Sequence, residues 1–596
     1  MYGYNGKILR VNLKEKSFKV EDLNLDMAKK YIGGRGLGTK ILTDEVDANV
    51  EPLSSENKFI VVAGPLTGTP TPTGGRYMVV TKSPLSGTVA SSNSGGYWGA
   101  ELKAAGYDVI IVEEKAESPV YINIDDDSIE IKDADFLWGK TVSETTKALE
   151  QIYPEKTKVL TIGPGGENLS KMAAVMNDID RAAGRSGVGA VMGSKNLKAI
   201  TVKGTGKVKI HDEAKLKEVF PKAVKKIREN GVTGEGLPTF GTAVLVNIIN
   251  ENGAFPTDNF QKAFFDKAED ISGETLADKY LVKKTACYRC PIACGRHCKV
   301  GDLEAGGPEY ETIWAFGADC GVSDLEAVIK ANYWCNEMGI DTISVGATIA
   351  AAMELYQKGY IKDEEVDGTP LEFGNSEAVI EWTKKIGRAD GLGAKMAEGS
   401  HRLAKSYGAE DLSMSVKKLE LPAYDPRAIQ GQGLQYATSN RGGCHVRGYL
   451  ISPEILGLPE KLDKFSLEGK AQWAKIFQDL TASIDSLGLC LFTSFALGPE
   501  DYADLYNAVC GTDHTAETIL EAGDRIWNIE KLFNLEAGID KKQDKLPKRL
   551  LEEPIPDGPS KGWTHKLDEL LPEYYEVRGW DKEGVPTKDK LKQLDI

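Results

Sequence analysis

The sequence has no unbroken apolar run approaching the roughly 20 residues a helix needs to cross a bilayer. Its opening residues, Tyr2-Gly3-Tyr4-Asn5-Gly6-Lys7, lack the apolar stretch of a secretory signal, so the expected location is cytoplasmic and no membrane partner is implied. It also lacks a basic surplus. Against 89 Asp and Glu stand 73 Lys and Arg, a net charge of -16 that argues against nucleic acid and anionic membrane surfaces as partners. An acidic electron carrier would need a local basic patch on such a chain. No Walker loop or nucleophile elbow is present. Gly33-Gly34-Arg35-Gly36-Leu37-Gly38 has the wrong glycine spacing for a dinucleotide fingerprint and follows a helix-like stretch instead of a strand. Nine cysteines form no even disulfide ladder, which suits a reducing compartment.

What is present begins with Cys287-x2-Cys290-x3-Cys294 and, far downstream, Asp485-Ser486-Leu487-Gly488-Leu489-Cys490. Thiolates two and three residues apart grip neighbouring corners of one inorganic cluster, and the last corner is then filled from a distant segment. A structural zinc site usually brings two CxxC-like pairs of similar spacing, and only one such pair occurs here. The spacing points to an iron–sulfur cluster and electron transfer, with zinc as the competing reading. Cys298 is a rival fourth ligand, because CxxCxxxCxxxC would close a compact local site. Spacing alone leaves that open, and Cys490 is favoured because its surroundings repeat. Cys298, Cys320, Cys335, Cys444 and Cys510 otherwise stand singly in apolar or Gly-rich stretches, where a reduced buried thiol is the plain expectation.

With 596 residues the chain has room for about three domains. Strand patterns fill residues 1–206: Leu9, Val11 and Leu13 alternate with polar residues, apolar runs recur at Phe59–Ala63, Tyr77–Thr81, Val109–Val112 and Val159–Ile162, and Tyr121–Ile124 with Ile129–Ile131 reads as a hairpin. Amphipathic helices follow over 207–410, among them Glu213–Arg228 with Pro221 inside, Asp324–Met338 and Thr342–Lys358. A Pro- and Ser-containing stretch near residue 410 marks a second boundary, and 411–596 reads as a further helical domain with a charged tail. The expected fold class is α+β.

One motif echoes across the two helical parts. Asn336-Glu-Met-Gly-Ile-Asp341 and Asp485-Ser-Leu-Gly-Leu-Cys490 share the form (D/N)-x-x-G-(L/I)-(D/C). Gly339 or Gly488 would end one helix in a left-handed turn and Asp341 would cap the next, a reading that needs no ligand. Two matched turns would also aim amides and helix ends at a common centre, as a polar anionic ligand requires. Arg181-Ala-Ala-Gly-Arg-Ser-Gly-Val-Gly189, Gly74-Gly75-Arg76 and Asn93-Ser94-Gly95-Gly96 add guanidiniums and unencumbered amides, which suits a phosphorylated ligand.

Together, Tyr2 to Lys7, Ala63-Gly-Pro-Leu-Thr-Gly68, Ser92 to Gly96, Asp180-Arg-Ala-Ala-Gly-Arg185, the CxxCxxxC run and DxxGLC resemble the tungsten-dependent aldehyde:ferredoxin oxidoreductases nearly end to end. The resemblance implies a sheet-rich N-terminal cofactor-binding domain, a base for a bis-pterin tungsten cofactor (tungstopterin), followed by two mainly α-helical domains. It implies that Cys287, Cys290, Cys294 and Cys490 hold a [4Fe-4S] cluster, leaving Cys298 a bystander. Arg76, Asn93, Gly95, Arg181, Ala182, Gly184 and Arg185 would contact pterin and phosphate, with the carbonyls of Asn93 and Ala182 on a bridging Mg2+. One pterin would meet Asn336, Ile340 and Asp341; the other would meet Asp485, Leu489, Cys490 and Leu491. Asn336 and Ile340 depart from the family's Asp and Leu; Asn336 keeps the acceptor oxygen but not the charge, so the resemblance does not carry over a salt-like contact at 336.

The resemblance also places Glu311 over the metal as proton carrier and His445 as donor to a carbonyl oxygen. Neither stands out on sequence alone. The implied reaction interconverts a small aldehyde and its carboxylic acid, with ferredoxin as electron partner. Rivals are a same-superfamily sugar-phosphate oxidoreductase or aromatic-thioester reductase and, from another class, a zinc-stapled binding protein. Glu398-Gly-Ser-His401 is a lone ExxH pair and reads as a surface helix pair. It sets no inter-subunit metal, and a homodimer and a complex with an electron-transfer subunit both stay open.

Overall fold

The computed structural model describes residues 2–153 and 156–596. Strands crowd the first third and helices the rest. The first sheet contains β1 (Lys7–Asn12), β2 (Ser17–Asp22), β3 (Phe59–Ala63), β4 (Tyr77–Lys82), β5 (Val89–Ser94) and β6 (Val109–Glu113), in the order β2-β1-β6-β3-β4-β5. The second contains β7 (Val120–Asp125), β8 (Ser128–Asp133), β9 (Lys158–Thr161), β10 (Val175–Asn177), β11 (Arg181–Ala183) and β12 (Leu197–Lys203), in the order β11-β10-β9-β12-β7-β8. β3 and β6 are continuous apolar runs because both of their faces are covered. Each fully buried Val or Ile there contributes about 1.5–3 kcal/mol.

The two sheets are the same motif used twice. Adding six to each strand number of the first sheet gives the second, and the directions agree: β1–β6 and β7–β12 are parallel, while the other neighbours are antiparallel. In both halves the third strand runs into Gly-Pro, Gly64-Pro65 after β3 and Gly163-Pro164 two residues beyond β9.

The helical part supplies one turn to each of these sites. α1 (Gly34–Glu45) lies against the first sheet, and Gly33 and Gly34 approach the backbone of Asp485 and Ser486. Further along come α2 (Tyr310–Phe316), α3 (Leu325–Met338), α4 (Thr342–Gln357), α5 (Lys470–Leu487), α6 (Ala516–Glu536) and α7 (Leu567–Arg578). Asp324 caps α3 and Asp341 caps α4 through Ser344 N at 3.0 Å, so the capping expectation is met. Gly339 and Gly488 adopt φ +65° and +84° at the ends of α3 and α5. The first turn pairs with the second half of the sheet base, Ala174 N donating to Gly339 O at 2.8 Å and Asp341 N to Met172 O at 2.9 Å. The second pairs with the first half, Leu66 N donating to Leu487 O at 3.1 Å and Arg76 N to Gly488 O at 3.4 Å.

One apolar core extends through residues drawn from 243 to 580, so both helical segments share it. The charged tail is anchored to this interior. α7 buries Arg578 completely between Asp479 of α5 and Asp524 of α6. One helical stretch, Gly231–Glu251, is long and apolar enough by length and composition to cross a membrane, with mean hydropathy 1.2. It is broken into four short segments, and Leu237, Ala243, Val246 and Ile249 point into the protein core.

Candidate active site

A small antiparallel sheet of β13 (Leu281–Thr285), β14 (Gly295–Val300) and β15 (Leu303–Gly306) frames the cysteine loop. Cys287, Cys290 and Cys294 lie between β13 and β14, and the turn after α5 brings in Cys490. All four line one cavity, together with Arg76, Arg181 and Phe492. The first three are partly accessible and Cys490 is buried, so the cavity opens toward the CxxCxxxC loop. Burial raises the Cys290 thiol to about 11 and holds Cys294 well above its ordinary value. Such thiols stay protonated until a metal displaces the protons. Cys298 is absent from this lining; it sits buried on β14, paired with Leu281 and Ala305.

Arg76 joins this cavity to the sheet base. Its guanidinium donates to Cys490 Sγ at 3.1 Å with one arm and to Asn93 Oδ1 at 2.9 Å with the other. Burial opposes its charge, but the sulfurs of Cys490, Cys287, Cys294 and Cys290, once ionised, outweigh that and raise its pKa. Asn93, on β5, donates in turn to Asp485 Oδ1 at 3.1 Å. Gly95 follows at the strand end, where a Cβ would sit 2.8 Å from Cys287 Sγ. Nothing larger fits there.

The second half offers the equivalent arrangement. Arg181 begins β11 and donates to Thr285 Oγ1 at 3.3 Å. Ala182, on β11, is exposed, and Gly184 approaches Asp341, a Cβ there falling 3.3 Å from its Oδ1. Arg185 donates to Asp341 Oδ2 at 3.3 Å and to the carbonyls of Gly443 and Glu420, both at 2.6 Å. Asn336 is half-buried at the end of α3. Ile340 and Leu489 spend their side chains on packing, Ile340 against Gly165 and Leu489 in the core beneath the first sheet; Leu491 is half-buried.

Glu311 and His445 meet although 134 positions separate them. Glu311 sits in the first turn of α2, and its Oε1 lies 3.5 Å from His445 Nε2. Its Oε2 accepts from Ala423 N at 3.0 Å, and Tyr310 OH fixes that loop by donating to Ala423 O at 2.8 Å. Burial lifts the Glu311 carboxyl to about 8, more than the Ala423 amide and Arg185 pull it down. Burial, with Arg185 and Arg441, holds His445 well below its ordinary value. At neutral pH both are therefore uncharged. Glu311 Oε1 and His445 Nδ1 are buried without a hydrogen-bond partner among the described residues, as is Tyr436 OH. Tyr424 lies tilted and Tyr449 edge-on against His445, their hydroxyls 2.8 Å apart.

Several neighbours escaped sequence reasoning. Arg447, two residues from His445, is fully buried and donates to Asp485 Oδ2 at 2.8 Å and to Ser91. Arg441 donates to Cys444 Sγ at 2.8 Å; burial opposes ionisation of this thiol, yet Arg441, Arg447 and Arg185 lower its pKa. Arg35 pairs with Glu530 through two 2.7 Å bonds. The readable signal was the second Gly-Pro, which matches Gly64-Pro65 as one turn matches the other.

This geometry has counterparts. Residues 8–204 match the model of the aldehyde ferredoxin oxidoreductase N-terminal domain, and residues 218–596 match that of aldehyde ferredoxin oxidoreductase domains 2 and 3. The chain belongs to the aldehyde ferredoxin oxidoreductase family. Among its relatives, the tungsten-containing aldehyde ferredoxin oxidoreductase of Pyrococcus furiosus is 57% identical, covering 100% of this chain and 99% of that one. The enzyme of the same name from Thermococcus kodakarensis is 54% identical over the same shares. A solved structure, the active site complex BamBC of benzoyl coenzyme A reductase with 1,5-dienoyl-CoA, superposes with TM-score 0.87 at 26% identity, covering 100% of this chain and 97% of that one. The sheet-rich first part and helical remainder described above are thus the fold of this aldehyde ferredoxin oxidoreductase family member.

Proposed function

We propose that the chain oxidises a small aldehyde to its carboxylate and passes the electrons to ferredoxin: RCHO + H2O + 2 oxidised ferredoxin gives RCOO- + 3 H+ + 2 reduced ferredoxin. The reading assigns a tungsten bis-pterin to the space between the sheet base and the two turns, and a [4Fe-4S] cluster to Cys287, Cys290, Cys294 and Cys490. It keeps the division into 1–206, 207–410 and 411–596. The observation that carries it is the Arg76 fork, which touches the thiol cavity and the proposed cofactor cradle with one side chain.

The residues present suit both groups. Four thiols line a cavity, yet among the described residues no three His, Cys, Asp or Glu side chains are grouped tightly enough to hold one metal ion. That arrangement suits a cluster whose corners stand apart more than a single Zn2+ with Zn–S bonds near ~2.3 Å. The twofold repetition of the base suits a ligand with two similar halves, and the strand-equivalent carbonyls of Asn93 and Ala182 suit one Mg2+ between them. Arg76, Arg181 and Arg185 supply the positive charge that phosphates need.

When bound, the tungsten cofactor supplies a two-electron acceptor and the cluster a one-electron relay. The protein supplies the protons' path. His445, neutral because it is buried, donates an N–H to the aldehyde oxygen. Glu311 in its anionic form accepts a proton from the attacking water, and Ala423 N holds the carboxylate in place through Oε2. Tyr310, Tyr424 and Tyr449 wall the pocket and limit its water. The test is anaerobic, aldehyde-dependent viologen reduction by wild type and Glu311→Gln. Wild-type turnover lost in the variant supports the assignment; undiminished turnover in the variant removes Glu311 from the chemistry.

A further inference from the structure

We propose that the edge strand β13 and the aromatic shelf beside the CxxC loop form the docking surface for an acidic iron–sulfur electron carrier of the ferredoxin class. The inference rests on the reading above and names where its electrons leave.

The whole chain carries -16, so an acidic partner is repelled from most of its surface. The opening of the thiol cavity is an exception. β13 is an edge of the three-stranded sheet, and it carries Val282, Lys283 and Lys284 into solvent before Thr285, Ala286 and Cys287 line the cavity. Val282 is 49% exposed. Just past the end of β13, Tyr97, 43% exposed, donates through its hydroxyl to Ala286 O at 3.3 Å. Lys158 lies 5.4 Å from the centre of the Tyr97 ring, Tyr288 meets that ring edge-on at 6.3 Å, and the exposed Arg289 lies over Tyr288 at 5.9 Å.

These cations are unspent. No ion pair engages Lys283, Lys284 or Arg289 among the described residues, whereas His297, cross-strand from Lys283, is held by Glu304 at 3.2 Å. The nearby side chain of Asp178 accepts from Tyr97 N at 2.7 Å and from Asn177 Nδ2 at 2.8 Å, two neutral donors that orient it without pairing its charge. A ring of free positive charge around exposed apolar and aromatic surface is the arrangement that steers an acidic partner and then desolvates the contact. It adjoins the loop that carries the three accessible thiols and not buried Cys490, which places a docked carrier on the open side of the cavity. Each docking removes one electron, so two encounters complete one aldehyde oxidation.

The test uses holoenzyme and its Lys283→Glu/Lys284→Glu variant, with an oxidised acidic ferredoxin as probe. Isothermal titration at low and at high salt gives the affinity, and aldehyde-dependent viologen reduction gives the chemistry without the carrier. The expected result is a Kd raised at least ~10-fold in the variant at low salt, a flatter salt dependence, and viologen turnover within ~2-fold of wild type, as expected for charges that steer a partner. Equal ferredoxin affinity in both proteins, or none in wild type, overturns the docking surface. Absence of aldehyde-dependent viologen turnover in wild type strikes the functional reading instead, and leaves the binding comparison to decide the surface.

Discussion

Glu311 is an ordinary carboxylate in sequence and an extraordinary one in place. Burial lifts it to about 8, so the folded protein retains a proton that an unfolded chain, with its carboxyl at 4.5, has already lost. Between those values the proton is bound only in the native state; the Glu311 contribution to stability therefore declines as pH rises through that window. The base form appears over the same interval, so kcat/KM for aldehyde oxidation should climb toward a plateau above about pH 8, and steady-state rates from pH 6 to 10 measure it. Glu311→Gln should lower kcat by at least ~100-fold and abolish the climb. Arg76→Lys keeps the charge but loses the two-armed reach to Cys490 and Asn93; metal content should persist while stopped-flow reduction of the cluster by aldehyde slows at least ~10-fold. Little of this was legible from the residues themselves. Glu311 and His445 acquire their surroundings from burial and from Ala423 and Arg185, both distant in sequence from Glu311, and only the family resemblance pointed to them.

The turns after α3 and α5 show where local sequence speaks clearly. The (D/N)-x-x-G pattern announced two left-handed helix ends, and Gly339 and Gly488 adopt them. What the pattern left out was the surface each turn meets. A Cβ on Gly339 would fall 2.6 Å from Gly163 N, and one on Gly488 would strike Thr67 Oγ1. Gly339→Ala and Gly488→Ala should each destabilise by about 1–2 kcal/mol for the left-handed conformation alone, and by more once the clash is added. Denaturant titration of each variant measures it. The strands were equally readable, because β3, β4, β6 and β9 are apolar runs and β1 alternates. Their doubling into two like sheets was not, since pairing order lies beyond any one strand.

At the scale of the molecule, charge pairs bind distant parts of the chain. Arg578 of the tail lies between Asp479 and Asp524, Arg35 of the first sheet's helix holds Glu530, and Lys417 with Lys531 holds Asp544. Burial opposes the charge on Asp524, Glu530 and Asp544, yet their cationic partners win and lower all three pKa values. Their stabilisation is complete above the unfolded values of 3.8 and 4.5 and is lost as pH falls through the folded ones, so the melting temperature should drop steeply below about pH 4. Calorimetry across pH 3 to 6 checks this. The order of sheet first and helices after was plain in the sequence; the apolar core that residues on both sides of 410 share was not, because its members lie far apart along the chain. The central claim is that four thiols, one of them remote, and a repeated sheet base house a cluster and a tungsten cofactor. Metal analysis of anaerobically purified protein tests it most directly: the account predicts about four iron atoms and about one tungsten per chain, with iron lost on Cys490→Ser, and zinc without iron would contradict it.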